Sequence, residues 1–417
     1  MTKPIYRALV LAMTMFLAVP GSHAQSGRLT LQDCIDKALK QNLRIKTDSL
    51  KVAREEALKK TAFDPAKTDF SLSQDPTSGG NNDNALSVTQ SFSWPGVYVR
   101  RGKVLEQRVL VAARSKAVTA AEVVAQVKLS YYGYLYQAEK LKVIRFLDSL
   151  YQDFSRKASL RAGVGETGSL EQLSARNKLK ETEVLEKQMQ AELDQYALKL
   201  QELINSPVTV IPTGTSFGAI SWERENDSLH AGRNPGLDYS RQQIQLAHAR
   251  LQLEKTKLWP DLTIGYSRQL LIGGFNPAHI EREYFPGTRT GGFQVGMSLP
   301  VFAGARVGRI KSEKINEALA YNEWEAERQR LETAWQQAFK TYQKYALSLS
   351  YYHDSGLKLA EEQIRVARLS FAKGEIGYVE FIQNISQAAE TKLNYLSVVN
   401  QLNQSTIHLQ YLQGDLR

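Results

Sequence analysis

The chain has 417 residues, of which 42% are hydrophobic and 23% charged, and its formal net charge is +10. This composition is typical of a folded protein with a large core, and it excludes a disordered or collagen-like chain. Lysine and arginine are interleaved with glutamate along helical stretches, so the positive charge indicates solvated helix faces, and no nucleic-acid partner is expected.

The first 24 residues have the layout of a cleaved secretory signal peptide. A basic start precedes an apolar run over 8–19, and a Ser-His-Ala tripeptide ends at Ala24. The run is too short for a membrane-spanning helix. We therefore predict residues 1–24 as a signal peptide and the rest as an exported chain. The single cysteine, Cys34, excludes an intrachain disulfide.

The first half begins with a helical pattern over 29–62, which Pro65 ends. The apolar spacing then changes from helical to alternating, which predicts strands over about 68–74 and 85–94. Strands near the ~9–11 residues that span a bilayer, with a small uncharged polar side, favour a membrane barrel over a soluble sheet. On that polar side, which would face the barrel lumen, lie Ser87, Thr89 and Ser91.

A long helical stretch without proline follows, over about 97–158, and its aromatic and alanine side chains recur at 4-3-4-3 spacing. This spacing is typical of helices that pack against each other as coiled coils. Gly165 and Gly168 interrupt the pattern, and helical residues resume at Ser169. Because glycine permits a tight reversal, we predict a helical hairpin whose tip lies at about 161–171.

The second half repeats this order of elements. A helical pattern over 228–258 precedes predicted strands at about 262–271 and 293–301. Gln294 and Ser298 belong to the polar, lumen-facing side of the last strand. A second long helix is then predicted, from about residue 305 to residue 372, because this stretch also lacks proline.

A repeated phrase marks the second tip, which we predict at about 371–380 with Gly374 and Gly377 in the turn. The phrase Gly-Glu-x-Gly-x-(Leu/Val)-Glu begins at Gly165 and again 209 residues later (374 − 165). The 4-3-4-3 pattern recurs 208 residues apart (335 − 127). Such self-similarity indicates a tandem duplication. The first repeat is predicted at 25–227, and its last part, 206–227, is the linker. The second repeat is predicted at 228–417.

These features together resemble the TolC-like outer-membrane efflux protein family. The resemblance covers essentially the whole mature chain and rests on the opening LTLQDCIDKALKQNLRIK and on NPGL, LWPDLTIGY, SLPVFAGARVGRI and AKGEIGYVEFIQNISQA. The segments TAFDPAKTDFSLSQ, RQLLIGGF and GEIGYVEF are most similar to the branch partnered with heavy-metal resistance-nodulation-division pumps.

The resemblance implies α-helices combined with a membrane β-barrel. Three copies, with four predicted strands each, would close one twelve-stranded barrel in the outer-membrane lipid, and long antiparallel coiled-coil helices would continue it as a periplasmic α-barrel. It also implies the function of a passive exit duct in a tripartite efflux system. The expected partners are a periplasmic adaptor and an inner-membrane resistance-nodulation-division pump, and the substrates implied by the finer resemblance are heavy-metal cations.

In the family, an acidic residue stands six positions after the tip glycine, near the constriction. Glu171 and Glu380 hold those positions, and Gln383 lies one helical turn beyond the second. Rings of carboxylates bias a pore toward cations. Some members have a Tyr–Arg latch at the second tip, but this chain has Phe371 and Ile376 at those positions. The residues expected to form the tip turns and dock the adaptor are Gly165, Gly168, Gly374 and Gly377.

The sequence contains no nucleophile elbow, phosphate-binding glycine loop or metalloprotease helix, and its histidines after residue 24 are scattered without paired spacing. We therefore expect no enzymatic activity, no cofactor and no metal site. The alternative interpretation is a periplasmic coiled-coil adaptor or scaffold, which would also be exported and helix-rich. Four alternating strands of spanning length disfavour that alternative.

Overall fold

The structure, a computed structural model, describes residues 27–76, 82–164, 169–213, 217–222, 234–270 and 289–415. The predicted signal peptide, residues 1–24, lies outside these ranges. The chain divides into two compact units. Unit 1 comprises Met1–Asn42, Val123–Trp222 and Thr341–Ile407, and unit 2 comprises Leu43–Glu122, Glu223–Lys340 and His408–Arg417. Each unit contains segments from both halves of the chain.

The first half consists of two helices, a strand pair and a helical hairpin, with a short strand at each end. Pro95 opens the longest helix, where its missing N–H leaves no intrahelical hydrogen bond unmade. In chain order the elements are β1 (Gly27–Leu29), α1 (Leu31–Gln41), α2 (Leu43–Lys59), β2 (Asp69–Pro76), β3 (Asn82–Phe92), α3 (Pro95–Gly163), α4 (Ser169–Ile204) and β4 (Val210–Pro212).

The second half also has a helix, a strand pair and a helical hairpin, in the same order. Its elements are α5 (Pro235–Thr256), β5 (Asp261–Leu270), β6 (Arg289–Ser298), α6 (Gly304–Tyr351), a π-turn (Tyr352–Gly356), α7 (Leu357–Ala372) and α8 (Tyr378–Gln413). The predicted helix over about 305–372 is therefore divided by the π-turn. Within the described ranges, no helix is both long enough and apolar enough to cross a membrane.

The helix predicted over 29–62 is in fact two helices that meet at Asn42. Thr30 caps α1 through a capping box with Asp33. At the other end Asn42 has an extended backbone, with ψ at 131°, which ends the helix. The buried side-chain amide of Asn42 donates to the carbonyl of Leu203 in α4 (2.8 Å). This tertiary hydrogen bond stabilises the break between α1 and α2, and the local sequence pattern does not reveal it.

Two of the four long strands end earlier than the sequence pattern predicted. β3 ends at Phe92 rather than near residue 94, because the carbonyl of Trp94 already accepts the N–H of Val97 in the first turn of α3 (2.8 Å). β6 ends at Ser298 rather than near residue 301. Pro300 follows, and it has no N–H to offer a neighbouring strand.

Strands β2, β3, β5 and β6 form one antiparallel sheet in that order. Successive side chains of a strand point to opposite faces, so residues paired across the sheet share a face. Among the described strands, β2 and β6 each pair along one side only and are therefore the edges of the sheet. A separate pair, β1 and β4, is parallel and lies in unit 1.

In unit 1 the core forms where apolar side chains of the two helical hairpins meet. Asn403 is fully buried and fixes a connecting segment to this core: its side-chain carbonyl accepts the N–H of Ile220 (2.7 Å), and its amide donates to the carbonyl of Gly218 (2.9 Å). These bonds satisfy polar groups that would otherwise be buried without partners. Members of the core include Leu147, Tyr151, Phe154, Phe381, Ile385 and Val399.

In unit 2 the helices are fixed by caps and polar pairs. Asn234 caps α5 by accepting the N–H groups of Gly236 (2.8 Å) and Leu237 (3.1 Å). Its side-chain amide donates to the carbonyl of Leu412 in α8 (3.0 Å). This one side chain therefore both starts a helix and joins it to another.

The turn between α7 and α8 is closed by backbone hydrogen bonds. Gly374 has φ of +76°, and its N–H donates to the carbonyl of Phe371 (3.1 Å). Only glycine adopts this left-handed conformation at little cost. Gly377 does not have positive φ; its carbonyl accepts the N–H of Phe381 (3.0 Å) at the start of α8. The two glycines of this turn therefore have different roles.

We predict that the thiol of Cys34 is unreactive in the folded protein. The side chain is fully buried in α1, and burial raises its pKa to about 11. With that pKa, roughly one thiol in a thousand is ionised at pH 8, against roughly a quarter in an unfolded chain. A thiol reagent at pH 8 should label the native protein far more slowly than the chain in guanidinium. Equal labelling rates would contradict the buried position.

We predict that serine is tolerated at Gly377 but not at Gly374. Gly374→Ser forces a side chain into positive φ and should lower the free energy of unfolding by about 1–2 kcal/mol. Gly377→Ser, the matched control, supplies a good helix N-cap with open space around its Cβ and should be neutral or slightly stabilising. Thermal unfolding in detergent measures both variants. Equal losses would mean that the backbone at Gly374 is not left-handed.

Candidate functional site

The two glutamates singled out by the sequence lie in the first turns of the helices that follow the tips. Glu171 lies in α4 and Glu380 in α8. Unpaired N–H groups at a helix N-terminus favour negative charge, so both positions suit a carboxylate. Gln383, one turn further along α8, is exposed. The predicted tip glycines of the first hairpin, 165 and 168, lie outside the described residues.

The two carboxylates differ in their surroundings. Glu171 lies 3.8 Å from the guanidinium of Arg161 across the first tip, and its side chain is 20% exposed. Glu380 is exposed, and within the described ranges its carboxylate has no hydrogen bond or ion pair; only its backbone carbonyl is used, by Asn384 (2.9 Å). Glu171 therefore has a cationic side chain 3.8 Å away, whereas the carboxylate of Glu380 faces solvent.

Other charged residues near the second tip pair with each other rather than with Glu380. Arg365 forms an ion pair with Glu362 one turn along α7, and this hydrogen bond lowers the pKa of the Glu362 carboxyl. Lys373 lies 3.8 Å from Glu375 within the turn. These pairs are exposed, so each contributes little to stability, but they leave Glu380 as the uncompensated carboxylate at the start of α8.

An aromatic cluster that the sequence analysis did not single out joins the two hairpins beside the tips. Tyr378 stacks on Phe154 of the first hairpin, with ring centroids 3.9 Å apart, and it meets Phe371 edge-on at 5.3 Å. Phe371 in turn stacks on Phe381 at 4.7 Å. Phe371, which stands at the position of the latch tyrosine, thus takes part in apolar packing instead. Such packing contributes roughly 0.5–1.5 kcal/mol per aromatic pair.

Tyr378 also connects this cluster to Glu171. Burial raises the pKa of the Tyr378 hydroxyl, and the nearby carboxylates of Asp153 and Glu171 raise it further. The hydroxyl therefore stays neutral at physiological pH. One turn away, the hydroxyls of Tyr151 and Ser386 lie 2.6 Å apart. The starts of α4 and α8 are consequently held near each other in unit 1. The aromatic spacing within GEIGYVEF was the available sequence signal for this cluster.

The residues predicted to face a lumen all lie on one face of the sheet. Thr89 pairs across Gly265 with Gln294, and Ser91 pairs with Thr263, their hydroxyls 3.0 Å apart. Ser87 pairs with Ser71, and these hydroxyls lie 2.6 Å apart. Ser298 pairs with Asp261 on the same face. Small, mostly uncharged polar side chains and glycines therefore cover this face.

The opposite face of the sheet is mostly apolar and exposed, with Arg268 as a charged exception. Phe70, Val88, Tyr266 and Phe293 form one row across all four strands, and Tyr266 contacts Phe293 with ring centroids 5.3 Å apart. Phe293 is 86% and Val295 81% exposed. An exposed apolar surface of this extent indicates contact with lipid or with another protein surface. At the helical end of the sheet, Trp94 stacks on Trp259 at 5.1 Å.

Within the ranges that the structure describes, no group of three or more His, Cys, Asp or Glu side chains is arranged to hold a metal ion. His248 contacts Glu317 through Nδ1 (2.7 Å), and Gln252 is near its other ring nitrogen (3.4 Å). The pair joins α5 to α6 on an exposed surface and is explained as a polar contact between helices.

Comparisons with known proteins agree with this architecture. Residues 228–415 match the family model described as outer membrane efflux protein. No curated protein is significantly similar to the chain in sequence. Among solved structures, CusC is similar over 93% of this chain and 93% of its own, with 17% identity and a TM-score of 0.75.

Two further solved channels have the same fold. The CmeC outer membrane channel of Campylobacter jejuni is similar over 92% of this chain and 85% of its own, with 14% identity and a TM-score of 0.73. The MtrE outer membrane channel of Neisseria gonorrhoeae, in its open state, is similar over 93% of this chain and 89% of its own, with 16% identity and a TM-score of 0.73. The resemblance to TolC-like channels predicted from the sequence is thus confirmed. Residues 228–415 thus match the outer membrane efflux protein model, and the chain has the fold of the solved outer membrane channels.

Proposed function

We propose that the chain is the outer-membrane exit duct of a tripartite efflux system, with its strands in the outer membrane and its helices in the periplasm. The observation that carries this proposal is the four-stranded sheet, which has one exposed and mostly apolar face, one small polar face and two edges that pair with no other described strand. In lipid every backbone N–H and C=O must be paired, so a four-stranded sheet needs further strands to close.

The closing strands come from two more copies of the chain in this proposal. The free edge of β6 in one copy pairs with the free edge of β2 in the next, and three copies complete a barrel of twelve strands. The apolar row through Val88 and Phe293 then meets lipid. The polar face with Ser87, Thr89, Ser91, Gln294 and Ser298 lines the water-filled lumen.

In this proposal the helical tips form the constriction of the duct. Glu171 and Glu380 from three copies make two rings of carboxylates, and Gln383 adds a neutral ring. Glu171 has Arg161 beside it, and Glu380 has no ion-pair partner among the described residues, so in this proposal the ring of Glu380 supplies most of the net negative charge. A ring of carboxylates in a narrow water-filled passage favours cations.

The partners are a periplasmic adaptor, which docks at the tips, and an inner-membrane resistance-nodulation-division pump. Exposed apolar side chains flank both tips and would give an adaptor a surface to cover: Leu160, Val164, Leu170, Leu173 and Val379. Heavy-metal cations are the proposed substrates, supported by the sequence segments that resemble the metal-pump branch and by the carboxylate ring at Glu380.

Membrane fractionation and native mass measurement test this function together. An exit duct should be found in the outer membrane and should have the mass of three chains in detergent. A coiled-coil adaptor, the alternative suggested by the sequence, would stay in the periplasmic fraction. A stable monomer extracted from the outer membrane would contradict the shared barrel and leave the localisation intact.

We predict opposite tolerance to charge at two adjacent residues of β6. Val295→Lys puts a charge on the apolar face and should destabilise the inserted barrel by about 2–4 kcal/mol at mid-membrane depth. Gln294→Lys, the matched control, puts the same charge on the polar face and should be tolerated. The measurement is the yield of folded trimer in the outer membrane. Equal yields would contradict the assignment of the faces.

We predict that the Glu380 ring sets the cation preference. Glu380→Gln should roughly halve the cation-to-anion permeability ratio of single channels, because an uncompensated charge is removed from the passage. The control is the double variant Arg161→Gln with Glu171→Gln, which removes a neutral pair and should leave the ratio within about 20%. If the double variant lowers the ratio as much as Glu380→Gln does, Glu171 is not compensated by Arg161 in the assembled channel.

A further inference from the structure

The long helix of the second half contains a π-turn, and the corresponding helix of the first half, α3, does not. At Tyr352–Gly356 the helix widens, and the N–H of Leu357 donates to the carbonyl of Tyr352, five residues earlier. The corresponding helix of the first half, α3, is continuous from Pro95 to Gly163. A π-turn holds one residue more than an α-turn, and such turns frequently occur at functional sites.

Before the π-turn, the two halves match with an offset of 208 residues. Val127 and Trp335 are both buried at this offset (335 − 127), as are Ser130 and Ala338 (338 − 130). An offset of one residue more would pair Val127 with Gln336, which is exposed. The buried faces of the two helices therefore follow the same register up to this level.

Beyond the π-turn the offset is 209 residues. Tyr151 matches the buried Ala360 (360 − 151), and Ala158 matches the buried Ala367 (367 − 158). The earlier offset would pair them with Leu359 and Val366, which are 64% and 46% exposed. The second half thus has one extra residue in this helix, and the π-turn is where it is accommodated.

The packing around the π-turn depends on Gly356. Gly356 is buried, and a Cβ there would lie 3.0 Å from the ring of Tyr352 and 3.1 Å from the ring of Tyr351. The rings of Tyr352 and His353 meet Tyr395 of α8 edge-on, with centroids 6.0 and 5.9 Å apart. The turn therefore leaves little room for a side chain at residue 356, and it contacts α8 through the ring of Tyr395.

We propose that the π-turn at Tyr352–Gly356 is the hinge on which the tip of the second hairpin moves, and that this movement opens the constriction at Glu380. The proposal rests on the proposed function, because it assigns a moving part to that gate. A bend at the π-turn displaces α7, the Gly374 turn and the start of α8 together, while the continuous α3 gives the first hairpin no equivalent bending point.

Spin-label distances test the hinge without relying on transport. Labels at the exposed residues Leu347 and Leu359 span the π-turn, and labels at Lys140 and Gln152 span the matched level of α3 with the same separation of twelve residues (359 − 347 and 152 − 140). In the detergent-solubilised trimer we expect a broad or two-state distance distribution for the first pair and a narrow one for the second. Equally narrow distributions would overturn the proposal.

Deleting His353 tests what the extra residue does. The deletion gives this helix the register of α3, so we expect a continuous α-helix, a normal trimer and a narrow Leu347–Leu359 distribution. Openings of single channels should then be at least about 10-fold rarer. The control is Gly308→Ala, a substitution in α6 where a Cβ meets no atom within 4 Å, and it should open like the wild type.

The outcomes separate the hinge from the duct. A wild-type chain that is absent from the outer membrane would contradict the proposed function, whatever the labels show. A wild-type trimer that conducts, with unchanged openings in the His353 deletion, would overturn the hinge and leave the duct intact. If the deletion prevents trimer formation, the wild-type distances decide. In that case Gly356→Ala should also reduce openings, because its Cβ presses on the rings of Tyr351 and Tyr352.

Discussion

Keeping one face of a very long helix against its neighbours is the requirement on which the rest of this structure depends. α3 has 69 residues, and over such a length an ideal helix drifts by about 20° per heptad from a strict seven-residue repeat. The buried positions must therefore be specified anew along the whole helix. One inserted residue would rotate everything beyond it by about 100°. The π-turn in the second half cancels that rotation, which is why Ala360 and Ala367 remain buried.

The sheet obeys a different periodicity but a similar rule. Along a strand one face recurs every second residue, so a slip of one residue would put the serines where the phenylalanines are. The register between the four strands keeps the polar residues of every strand on the same face. Hydroxyl pairs such as Ser91 with Thr263 stabilise this register. Gln90 breaks the apolar side, and its amide is satisfied near the end of the sheet by the carbonyl of Ala66 (2.7 Å). The exception therefore has its own hydrogen-bond partner.

The periodic features of the sequence were readable because each depends on residues close together in the chain. Alternation around Val88 and helical spacing around Tyr131 are local patterns, and the repeated glycine phrase marks a local turn. The break at Asn42 could not be predicted from the sequence, because the hydrogen-bond partner of this side chain, the carbonyl of Leu203, is 161 residues away. The difference between Glu171 and Glu380 was also hidden, since the same repeated pattern contains both. It depends on the position of Arg161 beside Glu171 and on the greater exposure of Glu380.

The π-turn is a different case. The sequence contained a signal for it, but helical periodicity alone did not reveal where the extra residue lies. Offsets of 208 and 209 residues between similar phrases differ by one, and a loop change is the ordinary explanation for such a drift. Because Ala360 and Ala367 are buried, the one-residue change of offset must lie within the helix and not in a loop. The two departures from equivalence between the halves, the π-turn and the uncompensated Glu380, then fall in the same hairpin. In the proposed duct, the second hairpin would therefore both contain the hinge and carry the carboxylate that faces solvent.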